Sequence, residues 1–368
     1  MAKTPLYYSI YKTLVLDIQS GKYPIGTNLP TDKNLVELFN VSQITIKKAM
    51  DLLSQNGYIS RKPRKGTTVI SENPITPSTI NNSHILFGLI LPSFSDAFGS
   101  VIIKRILTTT TDRVNFIVKI SSGRPELEDQ ALSELEGSGA QGIILLPISS
   151  KYASTKLLEL VTKNFPIVII DRSMADLPIS SIKTNNSDAA KFATNYLITK
   201  GHTKIGLIAS DNQVTAIDER ISGFVAAHTE NAITLSRQQI MTTIDSVVPS
   251  STQSPANDIN QIINFFINNS DLTAVIASEY NIALLIQQSL KILHKRIPED
   301  ISIICFDESA NSSFIPNSFM FTHIEQNEKE MGEIAVDLLL KEHADHHFFK
   351  KINLAAKFIE GNTVADRS

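Results

Sequence analysis

From Ile85 onward the chain repeats one pattern: a short apolar run, then a longer stretch with helical spacing. Ile85–Leu91, Asn115–Ile120, Gly142–Leu146, Ile167–Ile170, Ser180–Lys183, Ile205–Ala209, a run near Ile240, Ala274–Ala277 and Ile301–Phe306 read as strands. Helices are predicted between them over Ala97–Thr110, Pro125–Glu136, Lys151–Lys163, Ser187–Lys200, Asp218–His228, Asp258–Ile267 and Ile282–Leu293. A helix at Glu328–Lys341 and one last strand near Ile352–Phe358 close the series. Apolar strands alternating with amphipathic helices make an α/β fold of doubly wound parallel sheets. A stretch as long as 85–368 exceeds one comfortable core and should split into two lobes.

In such sheets ligands bind beyond the carboxyl ends of the strands. The residues found there are polar: Pro92–Phe98 after the first strand, Asp171-Arg172, Glu279-Tyr280 and Asp307-Glu308, with Arg220 opening the helix after Ile205–Ala209. Arginines and carboxylates make directional, charge-assisted hydrogen bonds to vicinal hydroxyls, and Phe94 or Phe98 can cover the C–H face of a sugar ring.

Residues 1–70 differ in character. Residues 1–72 carry ten Lys/Arg against five Asp/Glu, and the remainder 24 against 32, so a basic head sits on an acidic body. Only the head suits a polyanion. Ile10, Leu14 and Ile18 give Leu6–Ser20 an apolar stripe, and Gly21 ends that helix. Thr31 is placed to cap a second helix that runs to Phe39. Ser42 caps a third, with Ile46, Ala49, Met50 and Leu53 on its buried face and Gly57 at its close. Two helices joined so tightly form a helix-turn-helix. Opposite the stripe, Gln43, Thr45, Lys47 and Lys48 can reach base edges or phosphates. Tyr58–Ile70 reads as a β-hairpin wing with a cationic tip, Lys62–Gly66. Ser71–His84, rich in Ser, Thr, Asn and Pro, reads as a linker between the head and an effector body spanning 85–368.

Residues 5–70 resemble the winged-helix domain of the GntR family of bacterial regulators. The matching residues include Pro5-Leu6-Tyr7, Ser20-Gly21, Leu29–Lys33, Val41-Ser42, Gly57, Arg61 and Gly66-Thr67. The resemblance implies DNA contacts by Lys33, Ser42, Gln43, Thr45, Lys47, Lys48, Lys65 and Gly66. Members usually carry arginine where this chain has Gln43 and Lys47, so the operator sequence is its own.

About residues 84–360 resemble the LacI-type effector domain, which is similar to periplasmic sugar-binding proteins. Gly88–Pro92, Gly142–Pro147, Ile170-Asp171-Arg172, Gly201–Ile205, Arg220–Phe224, Pro298–Ser302 and Phe306-Asp307-Glu308 carry that likeness in order. It implies a sugar site built from Asp96, Phe98, Arg172, Arg220, Glu279, Asp307 and Gln326. Asp96-Ala97-Phe98 and Glu279-Tyr280 depart from the usual motifs, so the sugar is not inherited from the family. A GntR head on a LacI-like body is the arrangement of the AraR-type arabinose repressors. The resemblance therefore implies a homodimeric, pentose-responsive repressor that binds double-stranded operator DNA and needs no cofactor.

Other classes fit less well. No apolar run is long enough to span a membrane, and Met1–Pro5 begins no export segment, which places the expected site of action in the cytoplasm. The single Cys305 lies in an apolar run and reads as a buried, inert thiol. There is no G-x-x-x-x-G-K-[ST] or H-E-x-x-H. His343, His346 and His347 follow Glu342 in a polar stretch that reads as a solvated loop rather than a metal site. A sensor acting through a protein partner would leave the Ser42–Lys48 surface without a purpose.

Overall fold

The computed structural model describes residues 6–62, 66–72, 84–94, 97–109, 113–210, 214–309 and 319–368. Residues 63–65 of the expected wing tip, most of the expected linker, and Asp96 lie outside these residues. The chain divides into two units, Met1–His84 and Ile85–Ser368.

In the first unit, α1 (Leu6–Gln19), α2 (Asp32–Phe39) and α3 (Gln43–Gln55) precede a hairpin of β1 (Ile59–Lys62) and β2 (Gly66–Val69). The caps fall where the sequence puts them. The Thr31 hydroxyl accepts from Asn34 N–H, and the Ser42 hydroxyl from Thr45 N–H, both at 3.3 Å. Leu14, Ile18, Leu35, Ile46, Ala49, Met50 and Leu53 are wholly buried and bring the three helices onto one core. Arg61 on β1 donates to Asp32 at 2.6 Å and to Asp51 at 3.3 Å, tying the hairpin to α2 and α3.

The second unit holds two six-stranded sheets. The first runs β4-β3-β5-β6-β7-β13, wholly parallel, from β3 (Ile85–Leu91), β4 (Val114–Ile120), β5 (Ile143–Leu145), β6 (Ile167–Ile170), β7 (Ser180–Thr184) and β13 (Lys351–Leu354). The second runs β9-β8-β10-β11-β12-β14, from β8 (Ile205–Ser210), β9 (Ile240–Ile244), β10 (Ala274–Ala277), β11 (Ser302–Phe306), β12 (Thr322–Glu325) and β14 (Lys357–Ile359). Only β14 is antiparallel. The two orders are the same once each lobe's strands are counted from its own start, and the lobes differ only in the direction of the last strand.

Both faces of each sheet are covered, as parallel sheets require. Phe87, Leu89 and Leu91 point from β3 into a core shared with α4 (Ser100–Thr109) and α11 (Glu328–Ala344). Ile90 points the other way, toward α5 (Pro125–Gly137) and α6 (Thr155–Thr162). In the second lobe, α7 (Asn186–Thr199) and α8 (Thr215–Glu230) cover one face. There α9 (Pro255–Asn268) and α10 (Tyr280–Ile292) cover the other.

Three differences from the sequence reading matter. The single final strand is two strands in different sheets, because the chain changes lobe at Ala355-Ala356. β12 was not expected at all, being a short strand that mixes Thr322, His323 and Glu325 with one buried Ile324. α11 continues to Ala344, so His343 sits in its last turn with its ring against Phe87 at 5.9 Å instead of in a solvated loop. The His346 ring bonds the Asn164 carbonyl at 3.0 Å. Among the described residues no group of three potential ligands could hold a metal. None of their helices is long and apolar enough to cross a membrane.

The tightest helix contact is between α7 and α8, and Gly223 makes it possible. A Cβ at this position would stand 2.1 Å from the Ser187 carbonyl oxygen and 2.9 Å from the Lys191 nitrogen, both backbone atoms that cannot step aside. Gly223→Ala should therefore destabilise the body by about 1–3 kcal/mol, the usual range for overpacking. A thermal melt with an unchanged midpoint would contradict this close approach.

Candidate functional site

On the head, α3 turns Ile46, Ala49, Met50 and Leu53 inward and leaves Gln43, Ile44, Lys47 and Lys48 exposed on the opposite side. Lys33 is exposed in the first turn of α2, and Gly66 is exposed at the start of β2 with φ +88°. Lys48 Nζ rests 5.7 Å from the centre of the Tyr7 ring, so a residue of α1 steadies one cation of this face. Ser42 and Thr45 are already engaged: their hydroxyls lie 2.9 Å apart within the cap of α3. Of the expected contact residues, Gln43, Lys47, Lys48 and Lys33 are left as exposed polar side chains on this helix-turn-helix. Lys65 lies outside the described residues.

In the body a cavity of about 200 Å³ opens between the lobes. It gathers Phe98, Arg172, Arg220, Glu279, Asp307 and Gln326 of the expected set; Asp96 lies outside the described residues. Phe98 comes from the loop after β3 and Arg172 from the loop after β6, both in the first lobe. Glu279 and Asp307 follow β10 and β11 of the second lobe, and Gln326 lies on the segment leaving β12. Arg220 does not open its helix, as the sequence suggested. The helix begins at Thr215, which puts Arg220 in its second turn.

These groups hold one another in place. Arg220 Nε donates to Asn186 Oδ1 at 2.8 Å, its Nη1 donates to the Ser278 carbonyl, and its guanidinium carbon lies 3.9 Å from the Phe306 ring centre. Gln326 Nε2 donates to both Asp307 oxygens at 3.1 Å, and its Oε1 accepts from Thr184 Oγ1 at 2.7 Å. The Arg172 guanidinium donates to the carbonyls of Pro147 and, at 2.7 Å, Ile148. Glu128 fixes the same loop from behind by accepting from Ile148 N–H at 2.8 Å. The arrangement holds these side chains in one geometry.

Asp171 and Asp307 occupy equivalent places in the two lobes. Each follows its strand directly, each has a left-handed backbone (φ +62° and +65°), and each sends its N–H to the neighbouring strand, at Ile182 and Ile324. Non-glycine residues in this region store strain that clusters at functional sites. Burial dominates their titration. It raises Asp171 and pushes Asp307 up to about 8, with the Arg220 charge opposing the latter shift. Burial also raises Glu279, against a hydrogen bond from Ser210, and lowers the arginines Arg172 and Arg220. Cys305 is buried behind this site and its thiol is pushed up, as an inert side chain would be.

Sequence reasoning did not select Ser210, Val247, Pro249 and Asn281, which also line the cavity. Ser210 ends β8, and Val247 and Pro249 lie in the loop past β9. The strand-end rule would have found them had the ends of β8 and β9 been fixed. β9 carries too little apolar alternation for that.

Comparison with known proteins places both units. Residues 6–69 match the model for bacterial regulatory proteins of the gntR family, and residues 194–364 match that for a periplasmic binding protein-like domain. The chain joins a gntR-type DNA-binding head to a periplasmic-binding-protein-like body. It is a transcriptional regulator and not an enzyme. An arabinose metabolism transcriptional repressor of Halalkalibacterium halodurans is 25% identical over 323 residues, covering 84% of this chain and 82% of the relative. A second, from Geobacillus stearothermophilus, is 20% identical over 344 residues, covering 92% and 91%. Among solved structures, the transcription regulator CcpA of Lactococcus lactis matches 76% of this chain and 99% of its own, at 20% identity and a TM-score of 0.66. A LacI family transcriptional regulator from Enterococcus faecium, solved with bound ribose, matches 77% and 100% at 21% identity and a TM-score of 0.64. These structures share the fold of the body.

The buried carboxyls give this regulator a pH signature. An unfolded Asp loses its proton near pH 4, whereas Asp307 in the folded regulator keeps it up to about 8. Between those values the folded state binds more protons, so stability falls as pH rises. Glu128 and Glu328, both pushed up to about 7, act in the same direction. Asp307→Asn should flatten the fall of the melting midpoint between pH 5 and 8 without abolishing it. An unaltered slope would mean that Asp307 titrates as an ordinary carboxylate.

Proposed function

We propose that this regulator is a sugar-responsive repressor in which a monosaccharide, with a pentose such as arabinose the leading candidate, enters the interlobe cavity and changes operator affinity. One observation carries the reading: two arginines and three carboxylates (Arg172, Arg220, Asp171, Glu279 and Asp307) converge from both lobes on one cavity of about 200 Å³. Such a set suits a small polyol, whose hydroxyls both donate and accept. The cavity is smaller than the roughly 300–1,000 Å³ of drug-sized sites, which favours a single sugar ring. Phe94 and Phe98 supply an apolar face. The arabinose repressors among its relatives and the ribose-bound structure support the pentose class.

The head, residues 1–70, binds the operator, with Lys33, Gln43, Thr45, Lys47, Lys48 and the wing residues Lys65 and Gly66 at the DNA and Ser42 as cap. Residues 71–84 link it to the body. The repressor acts in the cytoplasm as a homodimer, since a two-fold operator asks for two heads. A panel of pentoses and hexoses read by thermal shift tests the effector class. At a hundredfold excess over Kd, a ligand of the folded state alone adds about 2.7 kcal/mol of stability. A panel without a single shift would sink the sugar reading.

Two variants separate the roles of the units. Truncating Arg220 leaves Asn186 Oδ1 and the Ser278 carbonyl without their donor, at a cost of about 1.5–3 kcal/mol for a hydrogen bond to a charged group. Arg220→Ala should bind operator as before yet fail to respond to sugar, in a titration followed by DNA release. A full response would remove Arg220 from the effector site. Gln43 suits the N6/N7 edge of adenine, whereas arginine prefers guanine, and one bidentate pair is worth about 1–3 kcal/mol. Gln43→Arg is therefore expected to shift base preference toward guanine at one position per half-site in a selection experiment. No shift would confine Gln43 to the phosphate backbone.

A further inference from the structure

Helix α8 carries Arg220, but among the described residues of its own lobe no side chain caps its start. Val214, the residue ahead of its first turn, has an extended backbone and no side-chain acceptor. The first N–H groups of a helix have no partner within it and need one from outside. Thr215 N–H finds its partner in the other lobe. The Ser150 hydroxyl, on the loop after β5, accepts from it at 2.7 Å. The same hydroxyl donates to Thr215 Oγ1 at 3.0 Å, and Ser150 is only 7% exposed.

Contacts around this point also cross between lobes. Lys151 of the first lobe pairs with Asp218 of α8 at 2.8 Å, and Lys183 of β7 pairs with Glu219. The Lys151–Asp218 pair is well exposed, and such pairs contribute little. The buried Ser150 bond is the stronger candidate for a determinant. The lobes also meet at Gly123, where a Cβ would lie 2.8 Å from the Ser250 backbone nitrogen. Ser150 itself does not line the cavity.

We propose that Ser150 is a positioning residue that caps helix α8 from the opposite lobe, so that the helix holding Arg220 is complete only while the two lobes stand together. Opening the cleft removes the cap, and Val214 has nothing to put in its place. Effector affinity then depends on a hydroxyl that the effector does not touch. The link to affinity rests on the cavity being the sugar site; the cap across the lobes does not.

The full-length protein tests both parts separately. Hydrogen exchange at residues 215–218 is compared in wild type, Ser150→Ala and Ser150→Thr, with the β10 amides reporting that the fold is intact. Ser150→Ala should speed exchange at 215–218 and leave β10 unchanged, and Ser150→Thr, which keeps the hydroxyl, should restore protection. The same three proteins are titrated with L-arabinose and D-ribose. The half-saturating concentration should rise about 2- to 30-fold in Ser150→Ala, the range that losing an N-cap corresponds to, while operator binding without sugar persists. Wild-type exchange at 215–218 in the alanine variant would overturn the cap, and equal defects in both variants would assign Ser150 to steric packing. If wild type binds neither sugar, the pentose reading fails and the exchange comparison still decides the cap.

Discussion

The body is held together by a hydrogen-bonded knot where the chain passes between its two sheets. It crosses at Thr184–Asn186, at Glu325–Asn327 and at Leu354–Ala356, and these crossings are bonded to one another. Thr184 Oγ1 reaches Gln326, and Asn185 N–H reaches the Leu354 carbonyl at 2.8 Å. Asn186 Nδ2 donates to the Thr184 carbonyl at 3.2 Å while its oxygen receives Arg220. Thr184, Asn186 and Gln326 are buried, so leaving any of these groups unpaired would cost more than the bond itself contributes. The knot fixes where the lobes can pivot and ends on Arg220 and Asp307. Cleft chemistry and lobe geometry therefore share the same side chains.

Much of this was legible in the sequence because it follows from local rules. The caps Thr31 and Ser42, the buried stripe of α3, and the apolar strands Ile167–Ile170 and Ala274–Ala277 each announce themselves within a few residues. The polar residues just past the strands were readable for the same reason, since a buried parallel strand has to end before a charge appears. What stayed hidden depends on distant partners. Gln326 was reached only through the family resemblance; the strand before it shows one apolar residue, and its bonds to Thr184 and Asp307, far off in the chain, have no local sign. The split of residues 351–359 between two sheets has no local sign, because Ala355-Ala356 would suit a continuous strand as well as a crossing.

The two aspartates in left-handed conformation show how a repeated topology is put to unequal use. Asp171 and Asp307 follow matching strands and donate to matching neighbours, so the backbone geometry belongs to the fold. Their side chains differ. Asp307 accepts two hydrogen bonds from Gln326 beside Arg220, while one oxygen of Asp171 is buried without a hydrogen-bond partner among the described residues. An acceptor facing the cavity in that state is suited to a ligand hydroxyl. On the head a comparable division holds: Arg61 is spent on Asp32 and Asp51, which leaves Gln43 and the lysines free to face outward.

The return of α11 to the first lobe has a consequence for the order in which the protein is made. The sheet of that lobe is almost complete once Thr184 has left the ribosome, yet one of its faces is closed by Met331, Ala335, Val336, Leu338 and Leu339, which emerge some 150 residues later. During that interval Phe87, Leu89, Leu91 and Ile144 have no helix α11 to cover them. The second lobe, whose helices α7 to α10 follow one another without interruption, can bury its core first. Synthesis from the N-terminus thus delivers most of the later lobe before the earlier one can be sealed, and the nascent chain carries an apolar face that only its own last quarter can hide.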